Sequence, residues 1–422
     1  MAQMALPGAT PQPLSTADGM PLKAALARAS RRSQRRALFL VLPLLLFVLV
    51  TFVAPIGQML YRSAWNPGFS ANMPNVVGWF AANPPGTTPD EAAFAALAED
   101  LRLASEARTI GVVGTRINYE VPGTRSLFTS AARKADDLAP PFRDAIIELD
   151  EAWGDPELWT AMRGAAATHT PNFYVAALDR KLGLDGSIVR VADEQRVYVP
   201  LFWRTMFLSA LIAGLCLALG FPIAHLLATL PLRYSNLLMI LVLLPFWTSL
   251  LVRTTAWMVL LQSQGVVNNA LVASGIISDE GRIQMMYNRA GTIIAMTHIL
   301  LPFMILPLYS VMRTINPAYV RAARSLGASS WTAFRRVYLP ETVPGMGAGV
   351  LLVFILAVGY YITPALVGGA SGQLFSNMIA FHMQKSLNWS LAAALAAILL
   401  GAVLLLYWLY DRLIGIDNMK LG

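Results

Sequence analysis

Charge is scarce in this chain. Only 13% of its 422 residues are Asp, Glu, Lys or Arg, against about 25% in an ordinary soluble domain. Hydrophobic residues make up 56%, and the mean hydropathy is +0.54. That deficit excludes a single water-soluble domain and points to several membrane spans. Cysteine is nearly missing too. The one cysteine, Cys216, lies in an apolar run, which excludes a disulfide framework and a cysteine-based metal site. His225, His298 and His382 are scattered without metal-like clustering, so neither a metal nor a cofactor is expected. No G-x-x-x-x-G-K-[ST] loop is present, so the chain does not hold ATP by that device.

What is present is apolar and long. A span needs about 20 mostly apolar residues to cross about 30 Å of hydrocarbon. Six stretches qualify: Ala37 to Gln58, Leu201 to Ala228, Leu237 to Leu261, Gly291 to Met312, Met346 to Val367, and Leu391 to Leu413. The first follows a basic segment and lacks a small-x-small cleavage site after it, so it reads as an uncleaved anchor. Basic residues set the orientation. Lys23, Arg28, Arg31, Arg32, Arg35 and Arg36 precede the first span, and Arg313, Arg321, Arg324, Arg335 and Arg336 lie between the fourth and fifth. The alternate loops are poorer, with Arg282 and Arg289 after the third span and Lys385 after the fifth. Both termini are therefore expected in the cytoplasm. The net charge of +8 is a topology signal in a lipid bilayer, and no nucleic-acid partner is expected.

Residues from about Arg62 to Tyr198 then fall outside the membrane, where acidic residues outnumber basic ones. Pro-, Gly- and Asn-rich stretches open this segment as loop. From Pro89 the pattern is helical, with Phe94, Leu97, Leu101 and Ala104 at three- and four-residue steps. Thr88, Pro89 and Glu91 have the spacing of a capping box. A second helix is expected from about Pro141 to Trp153 and a third from Asp155-Pro156-Glu157. The only histidine in this segment is His169, and it contains no cysteine. Without a nucleophile–base pair, no catalytic residue is assigned. The segment reads as a helical docking or structural cap.

The stretch Asn316 to Gly345 carries the most information. Asn316 can cap a helix that starts at Pro317, and Gly327 suits the left-handed turn that ends one. Ser329 or Ser330 can cap a second helix through Trp331, Phe334 and Val337. Leu339-Pro340 is expected to stop it, and Pro344-Gly345 to break the chain before the fifth span. The product is a compact helix–turn–helix knob that can fit a groove on a partner.

This stretch resembles the EAA loop of the permease subunits of type I ABC importers. That pattern is Glu-Ala-Ala, three residues, Gly, nine residues, Ile-x-Leu-Pro. Here Ala322-Ala323, Gly327 and Val337-Tyr338-Leu339-Pro340 keep the spacing. Arg321 stands at the glutamate position, which puts in question any ion pair with the ATPase. Val337 replaces the isoleucine. The resemblance extends to spermidine/putrescine permeases through Leu244-Pro245-Phe246-Trp247-Thr248, Arg253-Thr254-Thr255-Ala256-Trp257, Gly265 to Asn269, Leu300 to Tyr309, Thr363 to Gly369 and Asn388-Trp389. It covers the first span and Val199 onward, but not the long external segment.

The resemblance implies an all-α polytopic membrane protein with six transmembrane helices, plus a mostly helical periplasmic insertion between helices 1 and 2. The organisation expected is a cytoplasmic basic segment (1–36), a first transmembrane helix (37–58), the insertion (59–199), and a permease core (200–422) with its coupling loop at 314–345. The implied partners are separate ABC ATPase subunits, a second permease subunit, either a copy of this chain or, as the family favours, a paralogue, and a periplasmic substrate-binding protein. ATPase coupling falls to Arg321, Ala322, Ala323, Gly327, Ala328, Trp331, Phe334, Leu339 and Pro340. Candidate pathway residues are Trp247, Arg253, Trp257, Tyr360 and Tyr361. Arg253 is charged well within a span, where it either serves function or snorkels or bonds a carbonyl. Pro222, Pro245, Pro302 and Pro364 can break helices near substrate or stand as tolerated kinks.

A polyamine is the implied solute, with ferric iron, opines or aminophosphonates as alternatives. The second to sixth spans contain no Asp or Glu until Asp411, although aromatic faces can hold a cation. Two other classes compete: a membrane-anchored sensor or enzyme working through its external domain, and an exporter or channel that needs no ATPase.

Overall fold

A computed structural model of the protein describes residues 22–414. Residues 1–21 of the basic N-terminal segment, the side chains of Lys23, Arg28, Arg31 and Arg32, and residues 415–422 lie outside the described residues. The chain divides into two compact units, Met1–Tyr61 and Arg62–Gly422.

The first unit is helical, with α1 (Leu22–Val48) passing through a wide turn at Leu49–Val53 into α2 (Ala54–Arg62). Phe39, Leu40, Leu44 and Phe47 are exposed along it, the surface expected of a helix in hydrocarbon.

The second unit opens with seven helices: α3 (Pro74–Ala82), α4 (Glu91–Glu106), α5 (Ile110–Asn118), α6 (Thr124–Ala132), α7 (Phe142–Leu149), α8 (Pro156–Ala166) and α9 (Asn172–Ala177). An antiparallel pair follows, β1 (Arg180–Leu182) and β2 (Ile188–Arg190). Phe94, Leu97, Leu101 and Ala104 of α4 are buried with Phe80, Phe128, Trp153, Trp159 and Met162. Each such side chain contributes roughly 1.5–3 kcal/mol by leaving water.

Capping in this region differs from expectation. Asp90, not Thr88, caps α4 and accepts from Ala93 N. Glu91 turns instead to the start of α7, where its carboxylate accepts the N–H groups of Phe142 and Arg143. The helix expected from Pro141 to Trp153 breaks at Asp150, whose extended backbone begins a short turn at Glu151–Gly154. Asp155 caps α8 with Pro156 at its first position.

Buried Asp100 fixes α3. Its carboxylate accepts Asn75 N (3.1 Å), Asn75 Nδ2 (2.8 Å) and Val76 N (2.8 Å). Asp179 does the same for α10 (Tyr198–Thr229), the first long apolar helix of the second unit, accepting Val197 N, Tyr198 N and Val199 N at 3.1, 2.9 and 2.7 Å. Anions at helix starts satisfy donors that have no partner within the helix.

Beyond α10 come α11 (Leu232–Leu243), α12 (Leu250–Leu261), α13 (Val266–Ala273) and α14 (Arg289–Thr314), then α15 (Pro317–Ser325) and α16 (Ser330–Ala333). The chain ends in α17 (Leu339–Gly359), α18 (Ile362–Val367), α19 (Gly369–Gly372), α20 (Phe375–Gln384) and α21 (Trp389–Ile414). Among the described residues five helices are long and apolar enough to cross a membrane, or six if a helix pair bent by 98° is one span. That pair, Leu232–Trp247 with Leu250–Ala273, contains the third span expected from Leu237 to Leu261. Pro245 sits in the 3-10 turn at the break, where its missing N–H removes a helical bond. Pro222 and Pro302 stay inside continuous helices.

α10, α14 and α17 share a buried core that includes Ile212, Cys216, Leu300, Met304, Leu308 and Val353. A Cβ at Gly349 would stand 2.6 Å from Met304 Sδ, and one at Gly345 2.9 Å from Val311 Cβ. Glycine lets the helices come this close without displacing Met304 or Val311, a packing device common between membrane helices.

Candidate functional site

The knob between α14 and α17 is built from local chemistry. Asn316 caps α15 through Ala318 N at 2.9 Å, with Pro317 at the first position. Gly327 takes φ +90°. Ala328 N donates to Ala323 O (3.1 Å) and Gly327 N to Arg324 O (3.0 Å), the two bonds of a Schellman turn. Ser329 then caps α16 through Thr332 N at 3.2 Å.

At the bend, Leu326 is 89% exposed and Trp331 67% exposed. Arg321 and Ala322 are also exposed, and Ala323 and Ala328 are half-buried. An apolar tip left in water after folding marks a contact surface.

The second half of the knob differs from expectation. Leu339-Pro340 does not stop the helix, and Pro344-Gly345 does not break it. The chain runs from Ser330 to Gly359 as one apolar helix. A wide turn at Phe334–Tyr338 lets Leu339 N reach back five residues to Phe334 O. That added residue gives the Pro340 ring room and absorbs its missing donor.

The turn is also where the knob is anchored. The rings of Trp331, Phe334 and Tyr338 stack in sequence at 5.8 Å spacings. Tyr338 Oη meets His225 Nδ1 of α10 at 3.0 Å, and Phe221 of α10 meets Phe334 edge-on at 6.2 Å. The sequence reading missed His225 and Tyr338 as the base of the knob. The available signal was a histidine set among leucines and phenylalanine at 221–230, which needs a polar partner when buried.

Of the candidate pathway residues, three come together behind the bent span. Ser249 caps α12 through Val252 N at 3.2 Å, which places Arg253 in its first turn. Thr254 Oγ1 meets Thr363 Oγ1 of α18 at 3.0 Å. Trp257 Nε1 donates to His298 Nδ1 of α14 at 3.1 Å. Arg253 lies within electrostatic reach of both His298 and Tyr360. Its Nε and Nη1 are buried without a hydrogen-bond partner, so neither bonds a carbonyl of this chain.

His298 belongs to this cluster and was not among the expected residues. It is exposed on α14, the most buried of the candidate spans. Trp247 stands apart at the end of its turn, 90% exposed. Tyr361 is 39% exposed and is held through its carbonyl, which accepts Asn377 Nδ2 at 2.8 Å. Among the described residues no cluster of three or more His, Cys, Asp or Glu could hold a metal ion.

Residues 197–414 match the family described as binding-protein-dependent transport system inner membrane component. The spermidine/putrescine transport system permease protein PotB of Escherichia coli is 36% identical over 256 residues, which cover 58% of this chain and 92% of that protein. The inner membrane ABC transporter permease protein YdcU of E. coli is 31% identical, covering 51% of this chain and 72% of YdcU. A crystal structure of a bacterial alginate ABC transporter bound to a periplasmic protein aligns at a TM-score of 0.43 and 18% identity, covering 52% of this chain and 79% of that one. With its family match over the bundle of spans, this chain belongs to the inner-membrane components of binding-protein-dependent transport systems and is a permease subunit of an ABC importer, not itself an enzyme.

Proposed function

We propose that the chain forms one half of a solute pathway and draws force from a separate ATPase through the knob at 314–345. The observation that carries this reading is the exposed pair Leu326 and Trp331 on a bend fixed by a Schellman turn and tied by stacked rings to α10. A groove on an ATPase that grips this tip moves α10 and α17 together. Transmission requires that the grip differ between nucleotide states. Arg321, Ala322, Ala323, Gly327, Ala328, Trp331 and Phe334 form or support the contact, and Leu339 and Pro340 carry it into the span.

The domain plan accompanies this reading. Both termini and the knob face the cytoplasm, and the segment 59–199 faces the periplasm, where a binding protein delivers solute. A second permease completes the pathway, with Trp247, Arg253, Trp257, Tyr360 and Tyr361 as the residues of this chain nearest to it. Similarity to PotB supports a polyamine or a related small solute.

The test is reconstitution with the partner ATPase and binding protein, followed by uptake of labelled spermidine and putrescine. ATP-dependent uptake that is lost with Gly327→Trp, together with ATPase co-purification, is expected. Uptake that survives Gly327→Trp overturns the coupling assignment. Uptake of ferric iron, an opine or an aminophosphonate in place of a polyamine overturns the solute.

A further inference from the structure

Three arginines of the bundle donate to backbone carbonyls of neighbouring elements. Arg204 Nη1 donates to Ala370 O at 3.3 Å, Arg289 Nε to Ser371 O at 3.3 Å, and Arg313 Nη1 to Ala228 O at 3.0 Å. Arg253 keeps two buried nitrogens with no acceptor. Its neighbours do not help. Trp257 donates to His298 Nδ1, so a neutral His298 presents only its Nε2–H. His298 lies nine residues into α14, about 14 Å along the helix at 1.5 Å per residue, so the cluster is well inside the membrane.

Nor does the chain carry an anion at that depth. Across the candidate spans the only carboxylates are Glu341 and Asp411. Glu341 lies near the knob, and Asp411 lies at the last helix's end. An arginine at such depth is costly unless it is paired. A symmetric second copy of this chain would bring a second Arg253 and no carboxylate.

We propose that the missing acceptor is a membrane-buried carboxylate of the second permease subunit. This rests on the two-permease reading above. A pair formed across the subunit boundary satisfies both desolvated charges and registers α12 against its neighbour. It also removes the repulsion that a bare guanidinium exerts on a polycation passing beside it. The surface involved is the first turn of α12 with exposed Leu251 and Val252, an apolar rim around one charge.

The test uses the co-expressed complex of both permeases and the ATPase. Arg253→Glu is expected to lower uptake and recovery of the second permease at least about tenfold, because it sets two carboxylates against each other. In that background each Asp and Glu of the second permease's spans is changed to Arg in turn. One exchange is expected to restore uptake to within about threefold of wild type. Should Arg253→Glu fail to fold, the neutral pair of Arg253→Met with the partner carboxylate changed to Leu provides the same comparison, since an apolar replacement of a whole buried pair is often tolerated.

Failure of every exchange to restore uptake overturns the proposal. So does an Arg253→Met complex that assembles fully and changes only its solute preference, because Arg253 then contacts solute directly. If the wild-type chain transports without any second permease, the two-permease reading falls and takes this inference with it. If wild type transports with one and no exchange restores, only this inference falls.

Discussion

Tyr338 Oη and His225 Nδ1 lie 3.0 Å apart, and this bond joins the wide turn of the knob to the last turn of another span, α10. Tyr338 belongs to the helix that leaves the knob, and its partner to α10, which is packed on α14 and α17. A push on Trp331 is therefore delivered to two spans at once.

Loss of that bond should weaken coupling more than assembly. Tyr338→Phe keeps the stack with Phe334 and removes only the hydroxyl, a change of about 1 kcal/mol. ATP hydrolysed per solute moved should rise several-fold in reconstituted vesicles, with ATPase co-purification unchanged. An unchanged ratio would show that the bond does not carry force.

At the bend, Gly327 holds φ +90°, where a side chain costs roughly 1–2 kcal/mol. Gly327→Val should open the Schellman turn and lower ATPase affinity about tenfold. Ala323→Asp instead leaves the backbone alone and places a charge on the half-buried face of α15, uncoupling hydrolysis from uptake. Binding of purified ATPase to the permease in nanodiscs measures both. Normal uptake with Ala323→Asp would misplace the contact.

The insertion has its own weak point. Asp100 is fully buried and accepts three N–H bonds at the start of α3. Asp100→Asn keeps one carbonyl oxygen and should cost about 1–3 kcal/mol. Burial, the largest influence, raises the Asp100 carboxyl above its ordinary value, ahead of the opposing hydrogen bonds from Val76 and Asn75. A raised folded pKa means the native state binds this proton more tightly than the unfolded chain. The stabilisation is full below the unfolded value of 3.8 and is lost as pH rises through the folded one. The stability of wild type relative to Asp100→Asn should therefore increase on acidification across that window, read by the fluorescence of Trp153 and Trp159 during thermal unfolding.

Asp179 has a different task. It joins the insertion to α10 by capping it. Asp179→Ala should lower the melting temperature of the purified complex, a loss of about 1–3 kcal/mol, and leave ATPase binding intact. Deleting 90–185 removes the same cap, so Asp179→Ala is the control that separates a lost domain from a lost cap.

Local chemistry made much of this molecule legible in advance. Apolar runs long enough to span hydrocarbon were visible as such, and the 317–329 bend followed from Asn316, Pro317, Gly327 and Ser329, each acting on backbone within a few residues. Asp155-Pro156 opened α8 for the same reason. Elsewhere the deciding partner was distant. Asp90 displaced Thr88 as a cap while Glu91 was drawn to Phe142 N, 51 residues away. Pro340 read as a stop until a wide turn absorbed its missing N–H.

The sequence by itself determined that this is a chain of membrane spans with a bent basic knob, because span length and capping depend on neighbouring residues. Only the tertiary structure decided that the third apolar stretch is bent by 98°, that the knob rests on His225, and that Arg253 Nε and Nη1 find no acceptor among the described residues. Those depend on which groups from remote segments meet in a medium with no water to satisfy them.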